Sequence, residues 1–321
     1  HVSQTHKKYS RFVVTMRFQF THLPVVLSVL TLFAAQDSHA FSIVEKPVSS
    51  LLQEYRTQID ELKTKAGSIM DDPPTSDVFY LRYCLDGDAE ESMDSMMAGI
   101  NWRKGEGKGI YQAALAALEE ATGPSGWNND PVRAQAPHAE TINKFITPSQ
   151  ILTTTSRLGD LVYCIRAGKI DDKELMSTVS EDQMVDFFLY CKEVNAMVAD
   201  MRSVSLDRLV CVLTANDLSG VKLVGGDARF RSALSAASKR ANNLYPSSTL
   251  NGPTLLLNLP PLFGALVKLF TPLFPKEVRR RLRFEQGPLK NIDNLKDIAT
   301  ATSSPAREAF LGDLDKLVYA N

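Results

Sequence analysis

Leu209-Val210-Cys211-Val212-Leu213-Thr214, followed by Asp217-Leu218-Ser219-Gly220, is the stretch that decides the fold. It is apolar on both faces, as a strand covered by helices must be, and the Asp-Leu-Ser-Gly after it ends the strand in turn residues. Upstream, Asp160-Leu161-Val162-Tyr163-Cys164-Ile165-Arg166 reads as another strand and Ala167 to Asp171 as a turn. A helix then runs from Asp182 to Met201, with Ser180, Glu181 and Asp182 putting acid at the positive end of its dipole. Downstream, Phe230 to Leu244 is a return helix and Leu255 to Leu259 a third strand. Strand, helix, strand, helix, strand is the order of a sheet with crossover helices, so the expected class is α/β.

The part before this is helical. Ser49 to Met70 carries an apolar stripe of Leu51, Leu52, Tyr55, Ile59, Leu62 and Ile69, and Asp71-Asp72-Pro73-Pro74 ends it. Further helices are expected from Ser76-Asp77 to Leu85, from Ala89 to Arg103, and from Ile110 to Ala121. Lys104-Gly105-Glu106-Gly107-Lys108-Gly109 lacks the preceding strand and the Gly-Lys-Ser/Thr ending of a phosphate loop, so it reads as a turn between helices. Gly123 to Pro131 reads as a loop and as the lobe boundary.

Composition narrows the function. The 321 residues hold 36 basic against 37 acidic side chains, so the net charge of -1 argues against a general nucleic-acid binder. Four of the five histidines (His1, His6, His22, His39) precede residue 41, leaving His138 in a polar stretch that reads as an exposed loop. Histidine-assisted nucleophilic catalysis and histidine-rich metal sites are therefore disfavoured, and no enzyme activity, metal or cofactor is expected. Cys84, Cys164, Cys191 and Cys211 have no metal-finger spacing. They read as buried free thiols, with a disulfide as the alternative in an oxidising compartment.

The leading forty residues read as a presequence. From Met16, Arg17 gives a positive n-region, Leu23 to Ala35 an apolar h-region, and Ser38-His39-Ala40 a cleavage site. The apolar run is shorter than the roughly 20 residues a bilayer span needs. Ala40-Phe41 resembles the junction of bipartite presequences in algae with secondarily acquired plastids, although Glu45 is unusual for a transit segment. Plastid import is the expectation, and a secretory or endomembrane destination the alternative.

The segment from Pro260 to Pro275 is very apolar. Leu262, Phe263, Leu266, Val267, Leu269, Phe270, Leu273 and Phe274 cover most of its circumference, leaving no ordinary water-facing side. A lid over a pocket, a transmembrane span and a plain core helix are the three readings; the prolines at its ends and Lys268 in its middle count against the span. The basic run Arg279-Arg280-Arg281-Leu282-Arg283 follows, so an apolar and an anionic partner are wanted together, and a phospholipid is both.

Several short motifs carry a resemblance. Tyr80-Leu81-Arg82-Tyr83-Cys84-Leu85 through Asn101-Trp102-Arg103-Lys104 resembles the N-terminal helical module of the CRAL-TRIO (Sec14-like) lipid-binding family. Asp217-Leu218-Ser219-Gly220, Tyr245-Pro246, Asn258-Leu259-Pro260 and Leu269-Phe270-Thr271-Pro272-Leu273 resemble its Asp-Leu-x-Gly, Tyr-Pro, Asn-x-Pro and Phe-x-Pro-Phe landmarks, in order. The resemblance implies a mixed sheet with crossover helices, forming a lipid pocket under a gate helix and preceded by a small all-helical lobe. Gate hinges would be Gly252-Pro253 or Pro260-Pro261 on one side and Pro275 on the other.

Family members that bind phosphatidylinositol carry a glutamate after Tyr-Pro and a lysine beyond the gate; here those positions hold Ser247 and Arg281. The resemblance thus makes Arg281, Ser247 and Tyr245 headgroup candidates without the inositol-contacting carboxylate, while Arg279, Arg280 and Arg283 read as a membrane-facing basic edge. The expected divisions are a presequence over 1–40, a helical module over 41–125, a lipid-binding domain over 126–290 and a tail over 291–321. The tail holds a last helix from Pro305 to Tyr319. The expected function is non-enzymatic binding and intermembrane transfer of one phospholipid or other hydrophobic molecule by a monomer in transient contact with membranes; a lipid-sensing adaptor is the alternative.

Overall fold

The computed structural model describes residues 46–87, 89–122, 127–221, 226–260 and 282–319. The presequence reading, the gate and hinge readings from Pro261 to Pro275, and Arg279, Arg280 and Arg281 lie outside the described residues.

The helical part comprises α1 (Val48–Glu54), α2 (Arg56–Gly67), α3 (Asp77–Asp86), α4 (Ala89–Lys104) and α5 (Lys108–Ala121), followed by the short α6 (Asn129–Ala134) and α7 (Ala139–Ile142). The single helix expected over 49–70 is two, because Tyr55 (φ -101°, ψ 13°) leaves the helical region between α1 and α2. The loop expected over 123–131 already contains the first turn of α6, whose cap is the Asn128 side chain accepting from the Asp130 amide.

The described strands form one five-stranded sheet in the order β1 (Ile151–Thr155), β2 (Leu161–Arg166), β3 (Val212–Asp217), β4 (Asn251–Leu257) and β5 (Leu282–Glu285). β1 and β2 are antiparallel; β2, β3, β4 and β5 run parallel. The sheet is therefore mixed, as expected. β2 connects to β3 through α8 (Asp172–Thr178) and α9 (Glu181–Ser205), and β3 to β4 through α10 (Ala228–Leu244) and α11 (Ser247–Leu250). A capping box starts α9: the Gln183 amide donates to Ser180 Oγ at 3.2 Å, and the Ser180 amide donates to Gln183 Oε1 at 2.9 Å.

Gly252 and Pro253 are not a hinge. Both lie inside β4, where every residue is buried. Pro253 has no N–H for a ladder, and it falls where the β3–β4 register shifts, before the first β4–β5 pair at Thr254.

The two sheet faces are covered differently. Leu152, Val162, Cys164, Leu213, Ala215, Leu255 and Leu257 pack against the C-terminal segment, including Leu289, Ile292, Leu295 and α12 (Pro305–Val318). The tail is fastened there by Arg307, which donates from Nη1 to Ile298 O at 2.6 Å and from Nη2 to Thr155 O at 3.1 Å. The other face meets α9 and α10 in a core that also takes in Trp102, Ile110, Ala114 and Ala121, so helices on both sides of the 123–131 segment share one apolar interior. All four cysteines are free thiols, Cys164 and Cys211 buried and Cys84 and Cys191 half-buried.

Candidate functional site

Alternation along the strands builds two cross-strand rows on the α9 face. One is Tyr163, Thr214, Thr254 and Leu282; the other, nearer the carboxyl ends of the parallel strands, is Ile165, Asn216, Leu256 and Phe284. Ligands of open α/β sheets bind beyond those carboxyl ends.

Burial separates this face from its reverse. Val162 and Cys164 on β2 and Leu213 and Ala215 on β3 are 0 % exposed toward the tail. Their neighbours Tyr163, Ile165 and Thr214 keep accessible surface on the α9 side, and so does Phe284 on β5. β2 and β3 have strands on both sides, so this cannot be edge exposure. An inner strand sealed on one face and accessible on the other borders a hollow.

Polar groups line that hollow. Asn216 Nδ2 is buried with no hydrogen-bond partner among the described residues, and the Tyr163 hydroxyl is buried against the Cys191 thiol. Burial, and then the adjacent Cys191, push the Tyr163 phenol well above its ordinary range. A cavity of about 30 Å³ lies beside Tyr163, Cys191, Asn195 and Trp127, room for about one water. Lys192, the next residue of α9, donates from Nζ to Asn251 Oδ1 and stands 5.7 Å from the Tyr245 ring centroid. Burial, with Arg82 adding repulsion, lowers its pKa to about 7.

The landmark residues meet elsewhere, as staples. Arg103 Nε donates to Glu193 Oε1 at 2.8 Å and Nη2 to Oε2 at 3.0 Å, and the Tyr245 hydroxyl donates to the same carboxylate. The Arg103 guanidinium also lies 5.1 Å from the Phe79 ring centroid and 5.3 Å from that of Tyr245. Arg82 donates to Asp200 Oδ1 at 2.6 Å and to Val210 O at 2.7 Å. These contacts bolt α3 and α4 to α9 and to the entry of β3. Gly99 allows that approach: a Cβ there would come 2.7 Å from Leu244 O. At the other end of the strands, Asn258 Nδ2 donates to Asp217 Oδ1 at 3.1 Å, and Asp217 Oδ2 lies 3.3 Å from Arg166 Nε. Arg166 Nη1 continues the chain to Asp293 O at 2.8 Å.

Of the sequence candidates, Tyr245 is buried with its hydroxyl on Glu193, and Ser247 is 1 % exposed at the start of α11, its Oγ without a partner among the described residues. Arg283 is half-buried in β5 and shares its register position with Leu255, on the tail face rather than the hollow face. His138 is exposed, 3.9 Å from Asp186. Sequence reasoning did not single out Lys192, Glu193, Ile165 or Asn216. The signal is a charged pair, Lys192-Glu193, directly after the apolar run Phe187 to Cys191. Among the described residues no cluster fit to hold a metal ion occurs, and no helix is long and apolar enough to cross a membrane.

Comparison with known proteins gives three findings. The family model of the CRAL/TRIO domain matches residues 143–298. No curated protein matches the chain. The crystal structure of Sfh5 aligns with a TM-score of 0.46 at 15% identity, over 84% of this chain and 96% of that one.

Proposed function

We propose that this protein, whose residues 143–298 match the family model of the CRAL/TRIO domain, binds a single lipid in the hollow beside β2 and β3 and carries it between membranes without covalent chemistry. The observation that carries this reading is the one-sided accessibility of the inner strands: Ile165 and Thr214 keep surface on the α9 side while Cys164 and Leu213 have none on the other. At about 0.8 kcal/mol per methylene, exposing an acyl chain of roughly sixteen carbons to water costs on the order of 12 kcal/mol. Transfer therefore needs a path from bilayer to dry cavity under a movable cover. The apolar circumference of Leu262 to Phe274 supports a gate, and Arg281 a contact to phosphate, on sequence grounds.

Vesicle-to-vesicle transfer is the test. The protein is expected to speed movement of a fluorescent phospholipid from donor to acceptor vesicles by at least about tenfold over the spontaneous rate, about 1.4 kcal/mol of barrier. Binding without acceleration would favour the adaptor reading. For location, we propose that the presequence over 1–40, with the segment that follows Phe41, directs the chain to a plastid. A fluorescent protein carrying this segment should accumulate there, and retention in endomembranes would contradict the proposal.

A further inference from the structure

Lys192 has an unusual place for a lysine. Cys191 meets Tyr163 of β2 and the next side chain reaches Asn251 of β4, so the Lys192 stem lies over β3, the strand between them. There it stands on the α9 side of the sheet, beside the row containing Thr214. Every acid close by is already engaged. Glu193 holds Arg103 and Tyr245, and Asp200 holds Arg82. No carboxylate among the described residues pairs with Lys192; its recorded hydrogen bond is to the neutral Asn251 amide. Asn216 Nδ2, buried on this face with no partner among the described residues, is also a donor. A partly buried ammonium without a counter-ion is costly, and so is a buried donor without an acceptor. A hollow furnished in this way is complementary to a ligand that brings anionic oxygen with it.

We propose that Lys192 is the anion-recognising residue of the hollow, and that the preferred ligand is an acidic lipid whose carboxylate or phosphate is held inside, against α9. This rests on the lipid-binding reading above and specifies the ligand class. Its acidity profile follows from the groups facing the amine: Arg82 from α3 repels it, Tyr245 at the end of α10 offers its ring, and Asn251 from β4 accepts from it. With a pKa of about 7 in the free protein, the amine is charged below that value and ready for an anion. Above it, binding must take up a proton, and affinity falls by up to about tenfold per pH unit.

Equilibrium binding to phosphatidylcholine vesicles doped with oleate, with dioleoylphosphatidylglycerol or with dioleoylglycerol separates the cases. A carboxylate ligand shows as preference for the first, a phosphodiester as preference for the second. Either anionic lipid is expected to bind at least about tenfold more tightly than dioleoylglycerol, a difference of about 1.4 kcal/mol. For phosphatidylglycerol, whose charge is constant near neutrality, affinity should decline above pH 7. Lys192→Met should abolish both the preference and the decline, Lys192→Arg should keep the preference and flatten the decline, and melting curves should show both variants folded. Equal uptake of all three lipids by the parent protein would overturn the proposal. So would a preference that survives in Lys192→Met, or one removed by Arg281→Glu instead. Failure to take up any lipid would remove the pocket reading itself, a different result from loss of selectivity.

Discussion

Glu193→Ala is expected to cost about 3–5 kcal/mol, the range for breaking a buried ion pair from one side, and to leave the protein partly unfolded at ambient temperature. Arg103 and Glu193 are 1 % and 2 % exposed at the side chain, and both nitrogens of the fork are matched by carboxylate oxygens. Removing the carboxylate strands a guanidinium among Phe79, Trp102, Tyr111 and Tyr245, and leaves the Tyr245 hydroxyl without its acceptor. Against a typical total of about 5–15 kcal/mol for a domain, that is a large fraction. Burial works against the charge on Arg103, but the carboxylate beside it wins and its pKa is raised. Arg103 therefore stays charged across the ordinary pH range, and salt should not rescue the variant as it would rescue repulsion between exposed charges. The double variant Arg103→Met/Glu193→Leu is expected to recover most of the loss, because no charge is then left uncompensated. Urea titration of the three proteins measures this. A Glu193→Ala variant within about 1 kcal/mol of the parent, the value of an exposed pair, would show that the staple between helical part and sheet is not what holds them together.

Much of this architecture could be read from particular residues. β2 stands out because Leu161 to Ile165 is continuously apolar, and the long helix α9 because Ser180, Glu181 and Asp182 mark its start. β3 was placed at Leu209–Thr214 and runs Val212–Asp217, displaced toward the carboxyl end because Asp217 completes the strand instead of ending it. β4 was placed at Leu255–Leu259 and begins at Asn251, since Gly252 and Pro253 resemble a turn until the register shift beside them is known. β1 was missed because Thr153, Thr154 and Thr155 look polar, although threonine favours strands and each is buried. β5 was hidden in a basic run, where Leu282-Arg283-Phe284-Glu285 does alternate with period two. Ser180-x-x-Gln183 carries the capping box in sequence, and the acid of Glu181 and Asp182 adds to it at the helix dipole.

The site was harder to read for a physical reason. The landmark residues are recognisable because they are unusual polar residues at fixed places, and the structure uses them as staples: Tyr245 on Glu193, Asn258 on Asp217. The floor of the hollow is made of ordinary strand residues, Ile165 and Thr214 among them, whose role depends on cross-strand register and on what fails to cover them. Neither is written in local sequence. Lys192 is a similar case, since its distinction is that the acids near it are engaged by Arg103, Tyr245 and Arg82, so that no carboxylate among the described residues pairs with it.

The hollow itself is open to a volume test. Ile165→Trp puts a large ring beside β2 and β3, in the row with Asn216. In a close-packed interior such an enlargement costs about 1–3 kcal/mol or more. Beside a hollow it should cost less than about 1 kcal/mol in urea titration, because the ring enters empty space rather than displacing neighbours. It should also lower lipid affinity at least about tenfold, or about 1.4 kcal/mol, by occupying the ligand's place. Thr214→Phe, one row nearer the amino ends of the strands, should act in the same direction. Cys164→Trp, on the sealed face where the parent side chain is 0 % exposed, should instead fail to fold.

Native mass spectrometry of the intact protein, purified without added lipid and then after incubation with phospholipid vesicles, tests the central claim most directly. The expected spectrum carries one lipid per chain for the parent protein and none for Ile165→Trp. A parent protein that remains lipid-free in both preparations, or an Ile165→Trp variant that carries lipid as fully as the parent, would contradict the claim that the face bearing Ile165 and Thr214 is a lipid pocket.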